Sequence, residues 1–172
     1  MTSKLKKTYN DFVNNNFINY DLKQIKTLET VESIWKNRKQ ISFFNSSAKY
    51  NGIYLSGSVG IGKTFVLNLF IQSIKKANKI HFNHLMIDIH AFINNNKNNA
   101  SLDKYIHSLK KNFDVIFIDE LHIFNIVDAL LINKIFILFE KYNIFILISS
   151  NFKPNELYKN EAKDPHEIAQ DL

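Results

Sequence analysis

Gly57-Ser58-Val59-Gly60-Ile61-Gly62-Lys63-Thr64 carries the glycine spacing and the Lys-Thr ending of a phosphate-binding loop. Glycines let a backbone curl until successive N–H groups point inward at an anion. A helix that starts at the end of such a loop adds unpaired donors and a positive dipole end. Lys63 can then reach the β- and γ-phosphates of a nucleotide, and the Thr64 hydroxyl can ligate Mg²⁺. The flanking residues suit this chemistry. Gly52–Ser56 is a short apolar run that reads as a buried strand, and Phe65–Ile71 reads as a packed helix.

Val115-Ile116-Phe117-Ile118-Asp119-Glu120 is an apolar strand ending in two carboxylates, the Walker B pattern. A parallel strand buried on both faces reads as a continuous hydrophobic run. Its C-terminal end is where an open α/β sheet places ligands. Asp119 is expected to hold Mg²⁺, directly or through water, and Glu120 to orient and polarise the attacking water. Alone, such a pair would as readily cap a strand and begin a turn; the phosphate loop upstream favours the metal. Asn143–Asn151 is a further buried strand, and Asn151 stands where a sensor residue would reach the γ-phosphate or the water. Asn151 is also a natural turn former ahead of Pro154, so its sensor role takes its weight from the other two motifs. An Asp-Glu pair followed by a polar sensor points to the AAA+ group of P-loop ATPases, and hence to ATP as the nucleotide.

The 172 residues suffice for one domain with a sizeable core, and 15 Phe and 7 Tyr supply it. No cysteine is present, which removes disulfides and thiolate metal sites and fits a reducing, cytoplasmic setting. Met1–Tyr9 is basic without an apolar core, so it is not a secretory signal. No apolar stretch is long enough for an integral membrane protein. The net charge of +6 comes almost wholly from lysines scattered among Asn and Ile, with Arg38 the single arginine. That scatter reads as compositional bias rather than as a nucleic-acid surface.

Residues 1–20 are polar and Asn-rich and are expected to be a flexible N-terminal segment. Asp21–Phe44 has near-helical apolar spacing and should form an amphipathic helix ahead of the nucleotide core, with Trp35 in the core rather than the site. Lys79–Leu85 reads as a second strand and Met86–Ile93 as a helix start. Asn94–Asn99 is a low-complexity loop. Ser101 is a candidate N-cap for a helix to Lys111, and Ile126–Tyr142 is a long apolar helix. The alternation gives a P-loop NTPase fold, a three-layer α/β/α arrangement around a parallel sheet. The boundaries are 1–20 for the flexible segment, 21–160 for the ATPase core and 161–172 for a divergent tail. The six histidines form no metal motif; His81 and His84, three apart in the expected strand, would face opposite sides and are read as structural.

The chain resembles the ZapE-type AAA+ ATPases, bacterial cell-division ATPases with mitochondrial relatives, over about Gly52 to Asn160. That family carries G-L-Y-L-x-G-x-V-G-R-G-K-T, matched by Gly52–Thr64 with Ile61 in place of the arginine. It carries H-F-H-x-F-M-x-x-V-H, matched by His81–His90, and F-D-E-F-x-V-T-D-I-A-D-A, matched by Ile118–Ala129. It carries S-N-x-x-P-x-x-L-Y-K-x-G-L-x-R, matched by Ser150–Asn160, after which Glu161-Ala162-Lys163-Asp164 stands in place of G-L-x-R. The resemblance implies ATP and Mg²⁺ as cofactors, a strand order 5-1-4-3-2, and self-association or association with a full-length relative in a ring. It also implies a division-apparatus protein as partner. Relatives continue well past Leu172, so the chain is read as C-terminally truncated, lacking a fifth strand and helical lid. The arginine finger that a neighbouring subunit supplies in AAA+ rings has no match after the sensor strand; Lys159 and Lys163 are the nearest cations. The expected function is a weakly hydrolysing ATPase. The alternatives are a nucleotide-binding module that does not hydrolyse, and a replication-type helicase loader.

Overall fold

The computed structural model describes residues 4–38, 51–95 and 100–157. Its elements are α1 (Lys4–Asn14), α2 (Leu22–Asn37), β1 (Gly52–Ser56), α3 (Lys63–Ile71), β2 (Ala77–His81), α4 (Phe82–Asn95), α5 (Ala100–Asn112), β3 (Val115–Asp119), α6 (Ile126–Lys141) and β4 (Phe145–Ser150). The four strands are parallel and lie in the order β1-β4-β3-β2, so β1 is an edge of the described sheet. This is the expected order without its fifth member.

The two-residue period of a strand divides the core in two. Ile116 and Ile118 of β3 and Ile148 of β4 face a cluster with Leu85 and Ile89 of α4, Ile106 of α5, and Ile135 and Phe139 of α6. Val115 and Phe117 of β3 and Leu147 of β4 face the other cluster, with Leu28 and Val31 of α2 and Leu67 and Phe70 of α3. All five residues of β3 are buried, which is why it reads as an uninterrupted apolar run. Both faces of the sheet are therefore covered, as a parallel sheet requires, and all four strands deliver their C-terminal ends to one rim.

Two expectations are corrected. Residues 4–14 form a helix, and Leu5 and Tyr9 bury one side of it against α2 and α3. Polar composition hid this, because two buried side chains suffice once another helix supplies the rest of the surface. The second strand ends at His81, and Phe82 already begins α4. Phe82, Leu85, Met86 and Ile89 are buried at helical spacing, and His81 Nδ1 accepts from the Asn83 N–H at 3.3 Å. His84 is therefore helical, and its ring centroid lies 6.0 Å from that of His81 rather than on an opposite strand face. Ser101 lies inside the first turn of α5 rather than at its cap.

α2 ends near Arg38, capped at its start by Asp21, whose side chain accepts from the Lys23 N–H. The expected extension of that helix to Phe44, most of the Asn-rich loop, Lys159, Lys163 and the tail 161–172 lie outside the described residues. Trp35 packs edge-on against Phe70 and Phe145, in the core as expected.

Candidate nucleotide site

β1 hands the chain directly to the glycine loop, and α3 starts at Lys63. Gly62 caps α3 with φ +85°, a left-handed conformation that a side chain would strain. A Cβ on Gly62 would also stand 2.4 Å from Gln24 Nε2. The loop is tied to β4 by the Gly57 N–H donating to the Ser150 carbonyl at 3.2 Å.

Seven predicted site residues, Val59, Gly60, Gly62, Lys63, Thr64, Glu120 and Asn151, meet in a cleft of about 250 Å³ whose lining is completed by Phe65, Ser149 and Ser150. Lys63 Nζ donates to the Gly57 and Ser58 carbonyls at 2.7 and 2.8 Å and to Asn151 Oδ1 at 3.0 Å. The loop lysine and the asparagine expected to act as sensor are thus in direct contact. Gly57, Ser58 and Ile61 complete the loop outside that lining, and Ile61 turns its carbonyl to Gln24 Nε2 at 3.1 Å.

Thr64 Oγ1 donates to Asp119 Oδ1 at 2.7 Å, joining the loop to the end of β3. Ser149 Oγ donates to the same oxygen, and Lys79 Nζ pairs with Asp119 Oδ2 at 2.7 Å. Burial pushes the Asp119 carboxyl up, but hydrogen bonds from Lys79, Ser149 and Thr64 outweigh it and hold the group below its ordinary value. A hydroxyl and an ionised carboxylate side by side are the hard oxygen donors that Mg²⁺ takes. The loop cradle, the lysine and this oxygen pair fit a nucleoside triphosphate with Mg²⁺.

Glu120 is placed differently. It leaves β3 with φ +59°, its N–H is held by Ser149 Oγ at 3.0 Å, and its carboxylate lies 3.2 Å from His81 Nε2. The side chain is 60% exposed and stands at the mouth of the cleft. Arg38 is at the other end of the sheet. Its guanidinium lies over the Trp35 ring and donates to the Trp35 carbonyl, and Trp35 packs on Phe145, the first residue of β4.

The model of the AFG1-like ATPase family matches residues 2–165. The chain belongs to the AFG1-like ATPase family. Among relatives, "Lactation elevated protein 1 homolog B" of Danio rerio is 32% identical over 125 residues, covering 63% of this chain and 24% of that protein. "Cell division protein ZapE" of Escherichia coli K12 is 28% identical over 133 residues, covering 76% of this chain and 34% of that protein. The chain thus spans a quarter to a third of the length of these relatives. The crystal structure of domain III of the Thermotoga maritima replication initiation protein DnaA superposes with TM-score 0.51 at 22% identity, over 76% of this chain and 55% of that one. It supports the AAA+ fold. The ZapE-type resemblance read from the motifs agrees with the family match.

Lys79, His81 and Ser149 were not anticipated as site residues. Their signal was register. Lys79 and His81 pair with Phe117 and Asp119, so alternate residues of β2 share the face on which Asp119 lies. Misplacing the end of β2 concealed this. Among the described residues, no group of three or more His, Asp or Glu could hold a metal, and no helix is long and apolar enough to cross a membrane.

Proposed function

We propose that this chain binds ATP with Mg²⁺ in the Gly57–Thr64 loop and hydrolyses it slowly unless a partner contributes a cation. The hydrogen bond from Thr64 to Asp119 carries the reading, because it brings the two metal-facing motifs into one site. In the proposed complex, loop N–H groups and Lys63 hold the phosphates, and Thr64 and Asp119 hold the metal. Bound Mg²⁺ would neutralise charge on the β- and γ-oxygens. Glu120 and Asn151 would orient the attacking water, Glu120 taking its proton.

An arginine finger is worth roughly 10³–10⁵ in rate. Arg38, the single arginine, lies at the opposite end of the sheet from the cleft, which supports a requirement for a partner. The apolar surface beside the cleft supports it too. Phe124, Val127 and Leu130 are 80%, 60% and 64% exposed. We extend this to a second AFG1-like chain as the partner, and to a cytoplasmic role of the kind named for ZapE. Residues 21–160 would be the ATPase core, with α1 as part of it.

The test is nucleotide titration and phosphate release by the wild type and by Lys63→Ala and Glu120→Gln. Binding that is Mg²⁺-strengthened and lost in Lys63→Ala supports the proposal. Equal affinity in wild type and Lys63→Ala would overturn it. A second reading, binding without turnover, draws on the contact that keeps Glu120 at His81. A rate that is indistinguishable in wild type and Glu120→Gln would favour it.

A further inference from the structure

We infer that Gln24 reads the base of the bound nucleotide and selects adenine, with Tyr9 fixing the orientation of its amide; this rests on the nucleotide reading above. A nucleotide whose γ-phosphate faces Glu120 and Asn151 leads its sugar and base away from them. The Phe65 end of the cleft is the one beside which α2 brings Gln24, itself just outside the cleft lining, against the loop at Ile61 and Gly62.

The Gln24 amide is held from two sides. Nε2 donates to the Ile61 carbonyl at 3.1 Å, and Oε1 accepts from Tyr9 Oη at 3.2 Å. Tyr9 is fully buried, and its hydroxyl is itself fixed by accepting from the Asp21 N–H at 3.0 Å. Turning the amide over would set its oxygen against the Ile61 carbonyl and break that contact, so the Ile61 carbonyl fixes which end carries the nitrogen.

A primary amide has two N–H donors and two acceptor lone pairs. These contacts use one of each. One donor and one acceptor capacity remain on this half-buried side chain next to the loop. That pair matches the N7 acceptor and N6 amino donor of adenine, the pairing by which glutamine recognises this base. Guanine presents two acceptors on the same edge and would set its O6 against Gln24 Oε1. Phe65, with Phe12 edge-on at 5.5 Å, supplies an aromatic wall at the same end.

Because Gln24 also props the loop, the experiment must separate reading a base from holding phosphates. The full chain is titrated with ATP, GTP, 7-deaza-ATP and inorganic tripolyphosphate, each with Mg²⁺. The wild type should bind 7-deaza-ATP and GTP about 10- to 100-fold more weakly than ATP, the range of one bidentate base contact. Gln24→Leu should lose that discrimination, and its ATP affinity should fall further than its tripolyphosphate affinity. Tyr9→Phe should lose part of it. Equal binding of ATP and 7-deaza-ATP by the wild type would overturn the inference, and that measurement needs no variant to fold. So would a Gln24→Leu chain that weakens toward all four ligands by one factor. A wild type that binds neither ATP nor tripolyphosphate would instead overturn the nucleotide reading itself.

Discussion

The cleft has two walls built on opposite terms. The strand wall, formed by the ends of β3 and β4, is buried and over-determined. Asp119, Ser149 and Ser150 are each at most 5% exposed, and Asp119 accepts from three side chains. Ser150 Oγ donates to the Leu121 carbonyl at 2.6 Å and accepts from the Phe152 N–H at 3.1 Å. The loop wall is open. Val59 is 81% and Ile61 46% exposed. Contacts from Ser150, Lys63 and Gln24 tie it to the rest of the chain. The wall proposed to face the metal is thus preset by folding, whereas the wall proposed to face the phosphates is open to solvent. Substitutions on the first should cost stability and function together, and those on the second should cost function alone.

Glu120→Gln tests the boundary between the walls and carries the largest effect. Losing a positioned general base costs about 10²–10⁴-fold in rate. ATP affinity and melting temperature should stay near wild type, read by phosphate release, titration and calorimetry. A fall in stability would move Glu120 onto the preset wall.

Lys63→Ala should weaken ATP binding by about 100-fold or more, since it removes a charged donor to the phosphates. Its melting temperature should change by about 2 °C or less, because Lys63 contacts loop carbonyls and an exposed asparagine.

Asp119→Ala should lower stability by about 2 kcal/mol, the scale of losing hydrogen bonds to a buried charge. For a chain of this size that is a fall of about 4–8 °C in Tm. Mg²⁺ should no longer strengthen nucleotide binding. The effect has a defined pH direction. The folded Asp119 carboxyl lies below its ordinary value, so the unfolded chain binds its proton more readily. Its stabilising contribution is complete above the ordinary aspartate range and fades as pH falls through the folded value. The Tm gap between wild type and Asp119→Asn should therefore narrow on acidification from pH 6 toward about 3.

His81→Ala should have the smallest effect. An exposed pair of this kind is worth about 0.2–1 kcal/mol, so basal phosphate release should rise by about fivefold at most as Glu120 is freed toward the cleft. A drop would make His81 a support for Glu120 rather than a restraint.

Much of this was legible in the sequence because its signals are local. The glycine loop, the buried β3 ending in Asp119 and the β4 strand ahead of Asn151 each announce themselves within a dozen residues, and all stand where expected. What was not legible depends on partners far along the chain. α1 is polar by composition and is a helix because α2 and α3 cover Leu5 and Tyr9. β2 and α4 meet at His81–Phe82 within one apolar run, where alternation and helical spacing overlap for several residues. Lys79 reaches Asp119, and Gln24 reaches the loop, only through sheet register and helix packing, which no neighbouring residue encodes.

The tryptophan at the far rim gives the molecule a built-in lamp. Trp35 is the only indole in the chain, seated between Phe70 of the loop helix and Phe145 of β4 with Arg38 across its face. Its emission colour reports whether α2 is docked. Because α2 also carries Gln24, a ligand that pulls on the loop tugs the same rod that holds the lamp. A spectral shift on adding ATP that exceeds the shift with tripolyphosphate would make a link between base and helix visible without any label.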